Sequence, residues 1–151
     1  MEIRRTASEA ETSAVAARLA AGLPAGSVVL LTGDLGAGKT AFVRGLAAGL
    51  GIDPAEVSSP TFTLIQEYRG PRTLYHVDLY RVEGPDVDDL GLDDLIADHG
   101  VVAIEWADKL TRPVPGAILV QIVDQGDDVR EIRILEAQPL PTRSGSSALP
   151  S

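Results

Sequence analysis

The segment Gly33-Asp34-Leu35-Gly36-Ala37-Gly38-Lys39-Thr40 satisfies the pattern G-x-x-x-x-G-K-[ST], and it constrains the chain more than any other feature. Its flanks have what the pattern requires. Val28-Val29-Leu30-Leu31 is an unbroken apolar run that reads as a buried, parallel strand. After the loop, Phe42, Val43, Leu46, Ala47 and Leu50 recur at helical spacing, with Gly49 and Gly51 read as the helix end. A strand, a glycine-rich loop and a helix in that order predict an α/β fold of the P-loop type. The glycines let the backbone curl so that successive N–H groups face phosphate oxygens. Gly36, Ala37, Gly38, Lys39, Thr40 and Ala41 therefore form the expected triphosphate-binding set. Lys39 would bring its charge to the β- and γ-phosphates, Thr40 its hydroxyl to Mg²⁺, and the helix its positive N-terminal end. With two lysines in the whole chain, a chance match is rare.

The 151 residues fit one domain, and 44% hydrophobic content is enough for a real core. Thirteen basic against 22 acidic residues give a net charge of −9, which argues against a domain that grips nucleic acid alone. With no cysteine there is no disulfide framework or thiolate metal site, and with two histidines no His-rich metal centre. Arg4 and Arg5 are not followed by an apolar h-region, and no apolar run approaches a membrane span. A soluble, cytoplasmic protein is expected.

Along the chain, residues 2–6 suit a short opening strand. Ser8 and Glu11 have capping-box spacing ahead of an Ala-rich helix that stops at Gly22. Phe62 to Tyr68 and Thr73 to Asp78 read as a hairpin across Gly70-Pro71, and Asp86 to Asp98 as a short amphipathic helix or pair of helical turns carrying six aspartates. Val101 to Glu105 is a second buried strand. Ala117 to Val123 and Val129 to Leu135 flank Asp124-Gln125-Gly126-Asp127-Asp128, a hairpin signal. The fold expected is thus a mixed β-sheet flanked by helices and closed by a C-terminal β-hairpin. The domain spans 1–136, and the Pro- and Ser-rich residues 137–151 form a disordered tail.

Three further segments bear on chemistry. Glu105 ends a buried apolar strand, the Walker-B arrangement for a magnesium acid, with Glu where Asp is commoner. In His76-Val77-Asp78-Leu79-Tyr80-Arg81, His76, Asp78 and Tyr80 share one face when extended. Asp78 could position water at a γ-phosphate or hold Mg²⁺ through water, and Arg81 could meet phosphate charge. Judged alone, however, the segment reads as an edge strand with a polar face. In Ser59-Pro60-Thr61, Thr61 is either a turn residue or a switch hydroxyl for magnesium. Trp106, the only tryptophan, reads by itself as a packing residue.

Taken together and in order, the P-loop, Ser59-Pro60-Thr61-Phe62, His76-x-Asp78-x-Tyr80-Arg81 and Glu105-Trp106 resemble the TsaE (YjeE) family over roughly residues 3–135. These are bacterial ATPases of threonylcarbamoyl-adenosine tRNA modification. The resemblance implies ATP hydrolysis with Mg²⁺, working with the TsaB and TsaD proteins on the adenosine beside the anticodon of tRNAs that read A-starting codons. It also implies that Thr40 and Glu105 hold Mg²⁺, that Asp78 is needed for hydrolysis, that Thr61 lies in a switch segment and that Trp106 sits beside the nucleotide. Less directly, it puts Glu9 near the adenine and brings Arg130 toward the nucleotide. The acidic run Asp86 to Asp98 is denser than the family pattern leads one to expect.

Other classes fit less well. A GTPase of the Asn-Lys-x-Asp type is excluded, since the chain has no asparagine. A small-molecule P-loop kinase would use Asp78 as acceptor base, with Arg69, Arg72 and Arg81 as lid residues on what reads as a hairpin. A nucleotide-gated binding module with slow hydrolysis shades into the family reading. Tight binding of tRNA by this chain alone is not expected.

Overall fold

The computed structural model describes residues 1–33, 38–57, 65–82 and 84–136, with only the backbone course for 84, 85, 88 and 136. The expectations for Gly36, Ala37, Thr61, the strand start at Phe62 and the tail 137–151 lie outside these residues.

The sheet has seven strands: β1 (Glu2–Thr6), β2 (Val28–Thr32), β3 (Ile65–Tyr68), β4 (Leu74–Asp78), β5 (Val101–Glu105), β6 (Ile118–Gly126) and β7 (Val129–Glu136). Their spatial order is β1-β7-β6-β2-β5-β4-β3. β2 pairs parallel with β5 and β6, and β4 pairs parallel with β5, whereas β1, β3 and β7 join antiparallel. The apolar runs of β2 and β5 thus lie in the parallel centre, where both faces are covered and alternation is not needed. A mixed sheet flanked by helices and ending in a hairpin is the architecture expected.

One face is covered by α1 (Glu9–Ala21) and α2 (Lys39–Gly49). Ser8 caps α1 by accepting from the Glu11 N–H at 3.1 Å, and the Glu11 carboxylate accepts from the Ala7 N–H. The two helices approach closely. A Cβ at Gly45 would lie 2.2 Å from the Ser13 carbonyl oxygen, and one at Gly49 would lie 2.4 Å from that of Ala17. Gly49 is therefore both the last residue of the helix, as expected, and a packing glycine. Leu50 caps α2, and the left-handed turn falls at Gly51, with φ 85°. The other face carries shorter pieces: α3 (Gly84–Val87), a 3₁₀ turn at Asp88–Leu90, α4 (Leu92–Ala97) and a 3₁₀ turn at Ala107–Lys109.

Two readings are corrected in detail. β4 is not an edge strand, because β3 and β5 flank it and Leu74 to Val77 are all buried. The C-terminal turn is shorter than Asp124 to Asp128. The strands run on to Gly126 and resume at Val129, leaving Asp127 and Asp128 at φ 53° and 65°, the two positive values a tight hairpin turn requires. A bulge between Asp124 and Gly126 absorbs the extra residue.

Candidate functional site

The site lies where three parallel strands end. Alternation puts Val29 and Leu31 of β2, Leu74 of β4, and Val101 and Ala103 of β5 in the core beneath α1 and α2. On the same face, two residues further along each of β4 and β5, the side chains become polar: His76 and Asp78 follow Leu74, and Glu105 follows Ala103. Gly33 leaves β2 at the same level. Asp78 and Glu105 are register partners, so both carboxylates sit side by side at the carboxyl end of the sheet, the crevice where α/β folds bind ligands.

Glu105 is only 5% exposed, and its Oε2 accepts a hydrogen bond from Nε2 of fully buried His76. A carboxylate oxygen accepts, so this contact uses the tautomer of His76 that carries its proton on Nε2. Asp78 is half-buried, and its Oδ1 accepts from the Tyr80 N–H at 2.9 Å. Burial raises the Asp78 carboxyl above its ordinary value, the Tyr80 N–H opposes this, and the neighbouring Glu105 charge raises it further.

Lys39, the first residue of α2, is 5% exposed, although a P-loop lysine is not a core residue by type. Its Nζ donates to the Gly33 carbonyl at 2.7 Å and lies 3.7 Å from the centre of the Trp106 ring, a cation–π contact. Trp106 occupies the left-handed region at φ 60°, which is uncommon for a bulky residue and turns the chain sharply after Glu105. Its ring also packs on Tyr80 at 4.9 Å. The only tryptophan is therefore part of the site as well as the packing. Lys109, to which the sequence pointed no role, donates to the Tyr80 carbonyl at 2.6 Å and the Val82 carbonyl at 3.2 Å, pinning the turn after Asp78. Arg81 is exposed in that turn.

Thr40 is half-buried in the first turn of α2. Gly38, Ala41, Glu9 and Arg130 come together on the side of α2 nearer α1, where with Ser8 and Asp128 they line a cavity of about 300 Å³. The β6–β7 bulge aims Arg130 here, through its ion pair with Asp124 at 3.0 Å. Two residues 121 positions apart, Glu9 and Arg130, thus share one cleft beside the P-loop helix.

The donor set suits a hard cation. Thr40, Asp78 and Glu105 offer oxygen only, and the two carboxylates are adjacent across the β4–β5 pair. Among the described residues no three His, Asp or Glu side chains cluster closely enough to hold a metal by themselves.

The chain has close counterparts among known proteins. The chain is 47% identical over 130 residues to the tRNA threonylcarbamoyladenosine biosynthesis protein TsaE of Bacillus subtilis, covering 85% of this chain and 81% of that protein. It is 40% identical over 129 residues to the protein of the same name from Aquifex aeolicus, covering 84% and 90%. The crystal structure of Bacillus subtilis YdiB superimposes with a TM-score of 0.75 at 38% identity, covering 91% of this chain and 86% of the other. The family model described as "Threonylcarbamoyl adenosine biosynthesis protein TsaE" matches residues 6–132, the span that holds both helices, the paired carboxylates and Arg130, and the chain belongs to the TsaE family.

Proposed function

We propose that this chain is a Mg²⁺-dependent ATPase that serves formation of the threonylcarbamoyl group on tRNA adenosine, acting in the cytoplasm with TsaB and TsaD. The observation that carries the reading is the pairing of Asp78 with Glu105 at the ends of β4 and β5, near Lys39 and beside β2, the strand that leads into the P-loop.

The roles follow from placement. Backbone N–H groups at the start of α2 and, from outside the described residues, those of Gly36 and Ala37 are the candidates to bind the phosphates, and Lys39 turns from the Gly33 carbonyl and the Trp106 ring toward their charge. Thr40, Glu105 and, from outside the described residues, Thr61 are the candidates to hold Mg²⁺, which when bound supplies charge neutralisation across the β- and γ-phosphates. Asp78, held by the Tyr80 N–H and adjacent to Glu105, orients the attacking water. The cavity lined by Glu9, Ala41 and Arg130 receives the nucleoside end. With a net charge of −9, the chain leaves tRNA to its partners.

The test is ATP turnover by the chain alone and with TsaB and TsaD, with Lys39→Ala and Asp78→Asn as controls. Turnover that needs both partners and both side chains supports the reading. Phosphate transfer to a small hydroxyl acceptor instead of water would make the chain a kinase with Asp78 as base. Micromolar tRNA binding by the chain alone at low salt would overturn the division of labour.

A further inference from the structure

His76 occupies a position that packing alone would give to an aliphatic residue. It lies inside a buried strand between Leu74 and Asp78, on the face that α1 and α2 cover, and it is completely excluded from solvent. Among the described residues its Nδ1 has no hydrogen-bond partner, a desolvation cost that an aliphatic side chain would avoid. Among the same residues one polar contact offsets it, the bond from Nε2 to Glu105 Oε2. The partners are diagonal across the parallel β4–β5 pair. His76 is registered with Ala103, whose small side chain leaves room for the ring, and Glu105 stands two residues on.

We infer that His76 is a positioning residue for Glu105: it holds one carboxylate oxygen from beneath so that the other faces the crevice. This rests on the proposed role of Glu105 toward Mg²⁺. A carboxylate at a strand end has free torsions, and without a fixed partner it would lose side-chain entropy each time it engaged a cation. A buried imidazole with a single available donor limits the carboxylate to one arrangement before the ligand arrives. The ring touches neither nucleotide nor cation; it acts through Glu105. Partners of this kind change metal affinity by about 10- to 100-fold when removed.

The experiment compares ATP affinity by calorimetry in EDTA and in Mg²⁺ for the wild type, His76→Gln, His76→Leu, Glu105→Gln and the double variant His76→Leu/Glu105→Gln. Gln presents an N–H near the place of Nε2, whereas Leu fills the space without a donor. His76→Leu loses about tenfold of the tightening that Mg²⁺ confers on the wild type, with affinity in EDTA little changed. His76→Gln recovers most of it, and the double variant is no worse than Glu105→Gln alone. A purely structural role would weaken binding equally in EDTA and Mg²⁺. Wild-type magnesium linkage in His76→Leu, or losses that add in the double variant, overturn the inference while leaving the ATPase reading intact. Absence of magnesium linkage in the wild type overturns both. Should His76→Leu not fold, the imidazole ¹⁵N spectrum of the intact protein decides. A protonated Nε2 whose resonance moves when Mg²⁺ and ATP are added, and does not move in Glu105→Gln, supports the role. A proton on Nδ1 refutes it.

Discussion

The two faces of the sheet are built differently. On one, helices of 13 and 11 residues cross at a seam of small residues, with Gly45 and Gly49 set against Ser13, Ala16, Ala17 and Ala20, and bury Phe42, Val43 and Leu46 completely. On the other, α3, α4 and two 3₁₀ turns of three to six residues leave Leu90, Leu92, Leu95 and Ile96 only partly buried. A cavity of about 340 Å³ remains between α4 and residues 110–114. The candidate site residues of β4 and β5, Asp78 and Glu105, and His76 beside them all face the tightly packed side. Groups that must be held in fixed geometry are thus set against the helices that can least easily move.

On that contrast, the largest effect belongs to the helix seam. Gly45→Val forces a side chain to within 2.2 Å of a carbonyl oxygen and 2.7 Å of Ala16 Cβ, so α1 and α2 must separate. The loss should be about 3 kcal/mol, a large share of a domain's stability, and should lower the melting temperature clearly. A folded variant with near-native melting would show that the seam is looser than its distances. A matched pair of truncations grades the two faces: Leu46→Ala, fully buried under the helices, should cost about 3 kcal/mol in urea titration, and Leu92→Ala on the open face about 1 kcal/mol. Equal costs would abolish the distinction.

Lys39→Ala moves from stability to function. Loss of a charge-assisted contact with phosphate of about 2 kcal/mol corresponds to roughly 30-fold weaker ATP binding. Because Lys39 is buried on Trp106, the variant must be shown to be folded, and the only tryptophan should report the change by its fluorescence. Unchanged ATP affinity in a folded Lys39→Ala protein would remove the P-loop lysine from the site.

The legible part of this molecule is the part whose signals are local. The strand before Gly33, the capped α1, the strand ending in Glu105 and the closing hairpin can each be read from a few neighbouring residues, since alternation, capping and turn chemistry act over short distances. What neighbouring residues do not reveal is contact between distant segments. Gly49 ends α2 as its residue type suggests, and it is glycine also because α2 there packs on the backbone of Ala17 in α1, a neighbour that sequence spacing does not reveal. His76-x-Asp78-x-Tyr80 looks like a polar edge because only the sheet order shows β3 and β5 on either side. The bond from His76 to Glu105 spans 29 positions and leaves no periodic mark. Burial of Lys39 also depends on where Trp106 turns, and a left-handed tryptophan is not something residue preference predicts.

The smallest expected effect tests whether the packed face bears a cost for its acids. Folding raises the Asp78 carboxyl, chiefly by burial and further by the Glu105 charge, so the native state holds that proton more tightly than the unfolded chain does. Protonated Asp78 therefore favours the fold. That contribution is complete below the ordinary carboxylate range and is lost as pH rises through the raised value. Asn carries no charge at any pH and can keep the acceptor that receives the Tyr80 N–H. Asp78→Asn should accordingly melt slightly above the wild type at pH 7, and the two curves should converge as the pH falls through the ordinary carboxylate range. The gain is small because Asp78 is only half-buried and water screens it. A variant less stable than the wild type at neutral pH would mean that the attractions at this position, the Tyr80 N–H first and then the charge of Lys39, outweigh burial, and that the acid stabilises the crevice rather than straining it.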